Sequence, residues 1–216
     1  DISFIDIFYI MHTTMFALLS IALYMVIIPS KKEYIDYRKS RRILGFAFMM
    51  IAVLGTLRLL FPPTEEKSFL DLIIIILFCL IFNSLNFVSF LYMIETSRPK
   101  RKIVKKTAVI SAIMIASLGI TGYIFPEMRE LMTFMMSAIY ITVCIYVFTS
   151  CLREYDKFNL QMDKYYDVAI NIGWMPPMLW STFFLSFIMV GAFVFRPAYL
   201  ITCIGSMLTY TVLAMK

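Results

Sequence analysis

The chain has 216 residues and a formal net charge of +6, with 61% hydrophobic and only 16% charged residues, and its mean hydropathy is +0.83. Soluble domains carry about 45–50% apolar and about 25% charged residues, so this composition excludes one, and with it disorder, collagen, a coiled coil and a disulfide-stapled secreted module. An all-α integral membrane protein remains, with room for six to eight spans of about 20 residues each.

Seven apolar runs are expected to span, at about 3–28, 43–61, 69–94, 107–125, 131–152, 176–195 and 198–215, separated by charged or proline-containing breaks such as Pro29, Pro62-Pro63 and Pro126. Helices are the expected form, because backbone polar groups in lipid must be satisfied internally and barrel-type alternation is missing. The first run is not a signal peptide: its flank carries Asp1 and Asp6 instead of a basic segment, and it is too long. One stretch has two readings. Arg153 to Pro177 mixes charge with Tyr155, Phe158, Tyr165, Tyr166 and Trp174. Either the fifth helix projects beyond the membrane and leads into an interfacial piece, or the sixth extends back to Asp167 with a kink at Pro176-Pro177. The chain lacks an initiator Met and stops at Lys216 directly after an apolar run, so it reads as a single membrane domain cut from a longer protein.

Sixteen of the twenty basic residues fall at one side of this seven-span arrangement, in the first, third and fifth connections and at the end, while acidic residues divide evenly. By the positive-inside rule the amino terminus is expected outside and the carboxyl terminus in the cytoplasm. The outer connections, PPTEEKS, PEMRE and FRPAY, are too short for a binding domain, so any stimulus must enter the bundle or lie in the lipid.

Polar residues inside a span are costly and mark candidate sites. Asn83, Asn86 and Ser89 recur every three residues in the third span, as the wall of a ligand or ion cavity or as interhelical hydrogen bonds. Arg58 and Asp71 sit at similar depth near the outer ends of the second and third spans. They are expected to form an ion pair, unless Arg58 snorkels to the headgroups or binds an anionic ligand. His12 is the sole histidine. It has no partners at zinc-ligand spacing and reads as a proton sensor or as a hydrogen-bonded packing residue. The cysteines Cys79, Cys144, Cys151 and Cys203 read as reduced packing residues. In the fourth span Ala108, Ala112, Ala116, Gly119 and Gly122 permit close helix approach, within the bundle or at a dimer seam.

No HExxH, GxSxG or phosphate-cradling glycine loop occurs, and the deep positions offer only Asn, Ser, Thr and one His, so neither an enzyme nor a metal or cofactor site is expected. A transporter is expected to show broken helices or an internal repeat, and neither is visible. The basic connections read as topology determinants that also attract anionic lipid.

The basic segment YRKSRRILGFAFM after the first span, with seven short-looped spans and an inside carboxyl terminus, resembles the amino-terminal membrane halves of AraC-like helix-turn-helix regulators of the Bacteroides group. The resemblance is one of pattern and transfers no site residue. It implies a sensor module in a bacterial cytoplasmic membrane, surrounded by membrane lipids and responding to a small or lipidic ligand. It also implies a homodimer, with nucleic acid reached only through a domain beyond Lys216. Similar seven-helix modules precede histidine kinase and cyclase domains. A small transporter or channel with Asn83, Asn86 and His12 along its path is the competing class, and a scaffold or assembly subunit the third.

Overall fold

The computed structural model describes residues 4–25, 35–60, 69–94, 98–165 and 175–191, together with positions 204–205, 208–209 and 212. The described chain is all-helical: α1 Phe4–Met25, α2 Ile35–Leu60, α3 Phe69–Met93, α4 Arg98–Ile124, α5 Arg129–Tyr165 and α6 Met175–Gly191. Four of these are long and apolar enough to cross a membrane, over Ile35–Leu57, Phe69–Met93, Pro99–Ile124 and Pro126–Gln161. The described apolar part of α1, Ile10–Met25, is shorter. The span expected at 198–215 lies almost wholly outside the described residues. Gly205 is an exception, set so closely against α6 that a Cβ there would meet Leu185 at 2.7 Å.

Successive helices run up and down. The side chain of Ser20 on α1 reaches Gly45 on α2, Ser40 on α2 reaches Ser89 on α3, and Lys100 on α4 reaches Glu154 on α5. α3 lies at the centre, packed against α2, α4, α5 and α6. Its apolar face joins Ile76, Leu80, Phe87 and Leu91 to Met136, Tyr140, Val147 and Cys151 of α5 and Ile115 of α4. A second cluster ties α1 to α2 and α3 through Phe16, Phe48 and Phe82, with Phe16 edge-on to Phe48 at 5.2 Å between ring centres.

Several helices outrun the apolar segments that announce them. α2 begins at Ile35 and α4 at Arg98, inside the expected basic connections, and α5 continues to Tyr165. Lys, Arg and Glu are good helix formers, so hydropathy marks where a helix leaves an apolar environment and not where it ends. Of the two readings of 153–177, the projecting α5 is the one followed as far as Tyr165; residues 166–174, including Trp174, lie outside the described residues. At 1.5 Å per residue the 37 residues of α5 measure about 55 Å, against about 30 Å of hydrocarbon.

The corner between α4 and α5 is a 3-10 turn, Pro126–Met128. Pro126 stops α4, and the Met128 amide donates back to the Phe125 carbonyl at 3.0 Å. Arg129 Nε then donates to the Gly122 carbonyl at 3.3 Å, satisfying an orphan acceptor at the end of α4. The small residues of α4 serve contacts inside the bundle: a Cβ on Gly119 would meet Ile73 at 2.8 Å, and one on Gly122 would meet Phe69 at 2.6 Å.

Candidate functional site

Many hydroxyls in the apolar helices turn back on their own backbone. Thr56, Ser111, Thr121, Thr142, Thr149 and Ser150 each donate to the carbonyl four residues earlier, which satisfies them without a partner helix. The polar side chains that cross between helices therefore stand out, and around α3 they form two seams.

The first seam lies in the apolar middle. Asn83 on α3 donates through Nδ2 to Tyr140 Oη on α5 at 2.6 Å, and Tyr140 donates at 3.4 Å to the Ser186 carbonyl on α6. Ser186 itself donates back to Thr182 at 2.7 Å. Tyr140 is 1% exposed and Asn83 5%, so three helices are joined by neutral hydrogen bonds where a charge would be costly. On the opposite flank of α3, Ser40 and Ser89 exchange side-chain-to-backbone bonds of 2.8 and 2.9 Å in a reciprocal clasp with α2.

Asn83, Asn86 and Ser89 thus do not form one wall. Each three-residue step on a helix turns by about 60° in the reverse sense, so Asn83 reaches α5 while Ser89 reaches α2. Asn86 lies between them, buried. The bonds of Asn83 and Ser89 are contacts between helices. His12 is half-buried, its ring 4.7 Å from that of Phe16 and beside the α1–α2–α3 aromatic cluster. Next to it, Thr13 is packed onto the backbone of Gly55, where an added Cβ would meet its Oγ1 at 2.1 Å. Asp71 is half-buried in the first turn of α3. Arg58 sits in the last two turns of α2, but its side chain, and so the expected pair with Asp71, lies outside the described residues. Cys79, Cys144 and Cys151 are free thiols and buried.

The second seam, at the end where the basic residues gather, is ionic. Arg101 of α4 is 7% exposed and bonds Asp36 of α2 at 2.8 Å, its guanidinium carbon 4.1 Å from the centre of the Tyr92 ring of α3. Glu154 of α5 pairs with Lys100 of α4 and, at 3.1 Å, with Lys157 one turn on. Side chains from α2, α3, α4 and α5 therefore meet at one level. None of these acids, nor Tyr140, stood out in the sequence as a site. The signal for Tyr140 was a lone phenol in the apolar run SAIYITVC; the signal for Asp36 and Glu154 was a pair of acids inside strongly basic segments.

No family model, no curated protein and no solved structure matches this chain. The class defined by the fold is a helical bundle with four helices of membrane-crossing length and composition.

Proposed function

We propose that this chain is an integral membrane sensor module whose basic end lies in the cytoplasm and regulates an output domain attached there. The observation that carries the reading is the ionic seam. It joins α2, α4 and α5 at the end where all three continue beyond their apolar segments, and so where a rearrangement of helices would be felt by an attached domain. The concentration of Lys and Arg at this end supports a cytoplasmic location. A bacterial cytoplasmic membrane and a DNA-binding output follow the resemblance of the first basic segment to membrane-bound regulators.

The energetics fit a switch. The pairs of Glu154 with the exposed Lys100 and Lys157 contribute about 0.2–1 kcal/mol each, within reach of the 1–3 kcal/mol of a typical allosteric coupling. A small or lipidic ligand, or a change in bilayer state, that binds one helix arrangement better than another would shift the population accordingly. The neutral seam around Tyr140 holds α3, α5 and α6 together through the change, while the ionic seam opens or closes.

The test pairs the natural reading frame with a flux assay. A helix-turn-helix or other output domain encoded beyond Lys216, with its activity altered by Asp36→Asn, is the expected result. A stop codon within a few residues, together with solute flux in proteoliposomes abolished by Asn83→Ala and Asn86→Ala, would overturn it in favour of transport. Stable co-purification with a partner, with neither output domain nor flux, would overturn it in favour of a scaffold.

A further inference from the structure

The outward side of α4 carries two features that meet. Toward the basic end, Lys102, Lys105 and Lys106 are all exposed. Below them an apolar face continues through Val109, Ile110, Ile113, Met114 and Ile120, each between 46% and 64% exposed, with the exposed Ser117 on it turned back to the Met114 carbonyl. Positions 102, 106, 109, 113 and 120 follow the three- and four-residue spacing of a single helix face. Of the long apolar helices, α4 is the least covered by the rest of the bundle, with 22% of its apolar window buried.

Among the described residues, the two acids that bond α4 are already engaged by other cations. Asp36 holds Arg101 and lies 3.9 Å from Lys39, and Glu154 holds Lys100 and Lys157. Among the described residues, Lys102, Lys105 and Lys106 make no ion pair. Lys105 leans toward α3, its Nζ donating to Tyr92 Oη at 3.4 Å and lying 5.2 Å from the centre of that ring. Three cations and a phenol thus frame one level, with an apolar stripe leading away from it. From Lys106 to Tyr123 the helix rises about 26 Å, close to the hydrocarbon thickness of a bilayer, and Tyr123 is itself exposed.

We propose that this face of α4 binds an anionic phospholipid, its phosphate held by Lys102, Lys105 and Lys106 beside Tyr92 and one acyl chain laid along Val109, Ile110 and Ile113. Charge complementarity selects the headgroup, and the apolar stripe selects a lipid over a free anion. The inference rests on the membrane reading above and deepens it by naming a lipidic ligand and its place.

The test uses the purified full chain titrated with lipid and read by native mass spectrometry. Wild type is expected to bind a first phosphatidylglycerol at least about fivefold more tightly than phosphatidylcholine, the ratio that one basic residue near a membrane surface contributes. The triple variant K102Q/K105Q/K106Q brings that ratio close to unity. K102R/K105R/K106R, which keeps the charge, retains it, and so does K157Q, which alters a lysine of the ionic seam at the same end. Glycerol phosphate, the soluble headgroup, does not compete at equal concentration. An unchanged ratio in the glutamine triple variant, an equal loss in K157Q, or displacement by glycerol phosphate would each overturn the proposal. A chain that stays in membranes through an alkaline wash yet shows no preference defeats this inference alone. One that is stripped off by the wash defeats the membrane reading and the inference together.

Discussion

The two seams accomplish one task, cross-linking helices, by opposite chemistries. Around Tyr140 the links are neutral hydrogen bonds between side chains almost wholly buried in apolar surroundings. Around Arg101 and Glu154 they are ion pairs, and Lys100 and Lys157 keep 42% and 61% of their side-chain surface exposed. The contrast follows from solvation: removing an ion from water costs several kcal/mol even when it is paired, whereas a phenol and an amide satisfy one another at far lower cost. Depth in the bundle decides which chemistry can hold two helices together: within the ionic seam Arg101 is itself buried, and only the solvent-accessible pairs of Glu154 can be opened by a modest bias.

The largest effect is expected at the neutral seam. Tyr140→Ala removes the hydrogen bonds to Asn83 and Ser186 together with a fully packed ring, and should destabilise the bundle by about 3–5 kcal/mol. Tyr140→Phe, which keeps the ring, isolates the two bonds. The buried thiols of Cys79, Cys144 and Cys151 provide the readout, because they react with a thiol probe only as the bundle opens during a thermal or detergent titration.

Asp36→Asn should come next. It leaves the nearly buried Arg101 without its carboxylate and should cost about 1.5–3 kcal/mol, the range for hydrogen bonds to charged groups. A cost below that of Tyr140→Phe would show that Arg101 is held by Tyr92 instead of Asp36. Asn83→Ala removes a single interhelical bond and should cost about 0.6–2 kcal/mol in the same titration. Combined with Tyr140→Phe it should add almost nothing further, since Tyr140→Phe already breaks the Asn83 contact along with that to Ser186. Glu154→Gln should be smallest, about 0.2–1 kcal/mol. Its effect alone should fade as salt is raised from low to physiological strength, because exposed charges are screened over about 8–10 Å. If Asn83→Ala proved equally salt-sensitive, the division into a dry and a wet seam would fail.

Much of this organisation was legible in the residues, and the failures are physical. The third span was bounded almost to the residue, 69–94 against Phe69–Met93, because an apolar run and a helix there begin and end together. For α2, α4 and α5 they do not, since Arg38, Lys102 or Glu154 leaves the apolar phase without breaking the helix. The spacing of Asn83, Asn86 and Ser89 identified polar positions in α3 correctly but suggested one surface, whereas a repeat of three spreads them around the helix toward different neighbours. Ser40 and Tyr140 were missed because a partner on another helix, distant in sequence, turns an ordinary hydroxyl into a cross-link. Ser111 and Thr142, the same residue types, bond only their own helix.

The proposed sensor role depends most directly on α4 crossing the membrane with its lysines on the cytoplasmic side. The decisive measurement is labelling of single cysteines introduced as Lys106→Cys and Tyr123→Cys, with the four native cysteines replaced, by a membrane-impermeant maleimide in intact cells. Position 123 should label from outside, and position 106 only after the membrane is opened. Labelling of both positions from the same side, or in the reverse order, would contradict the topology on which the ionic seam's role is built.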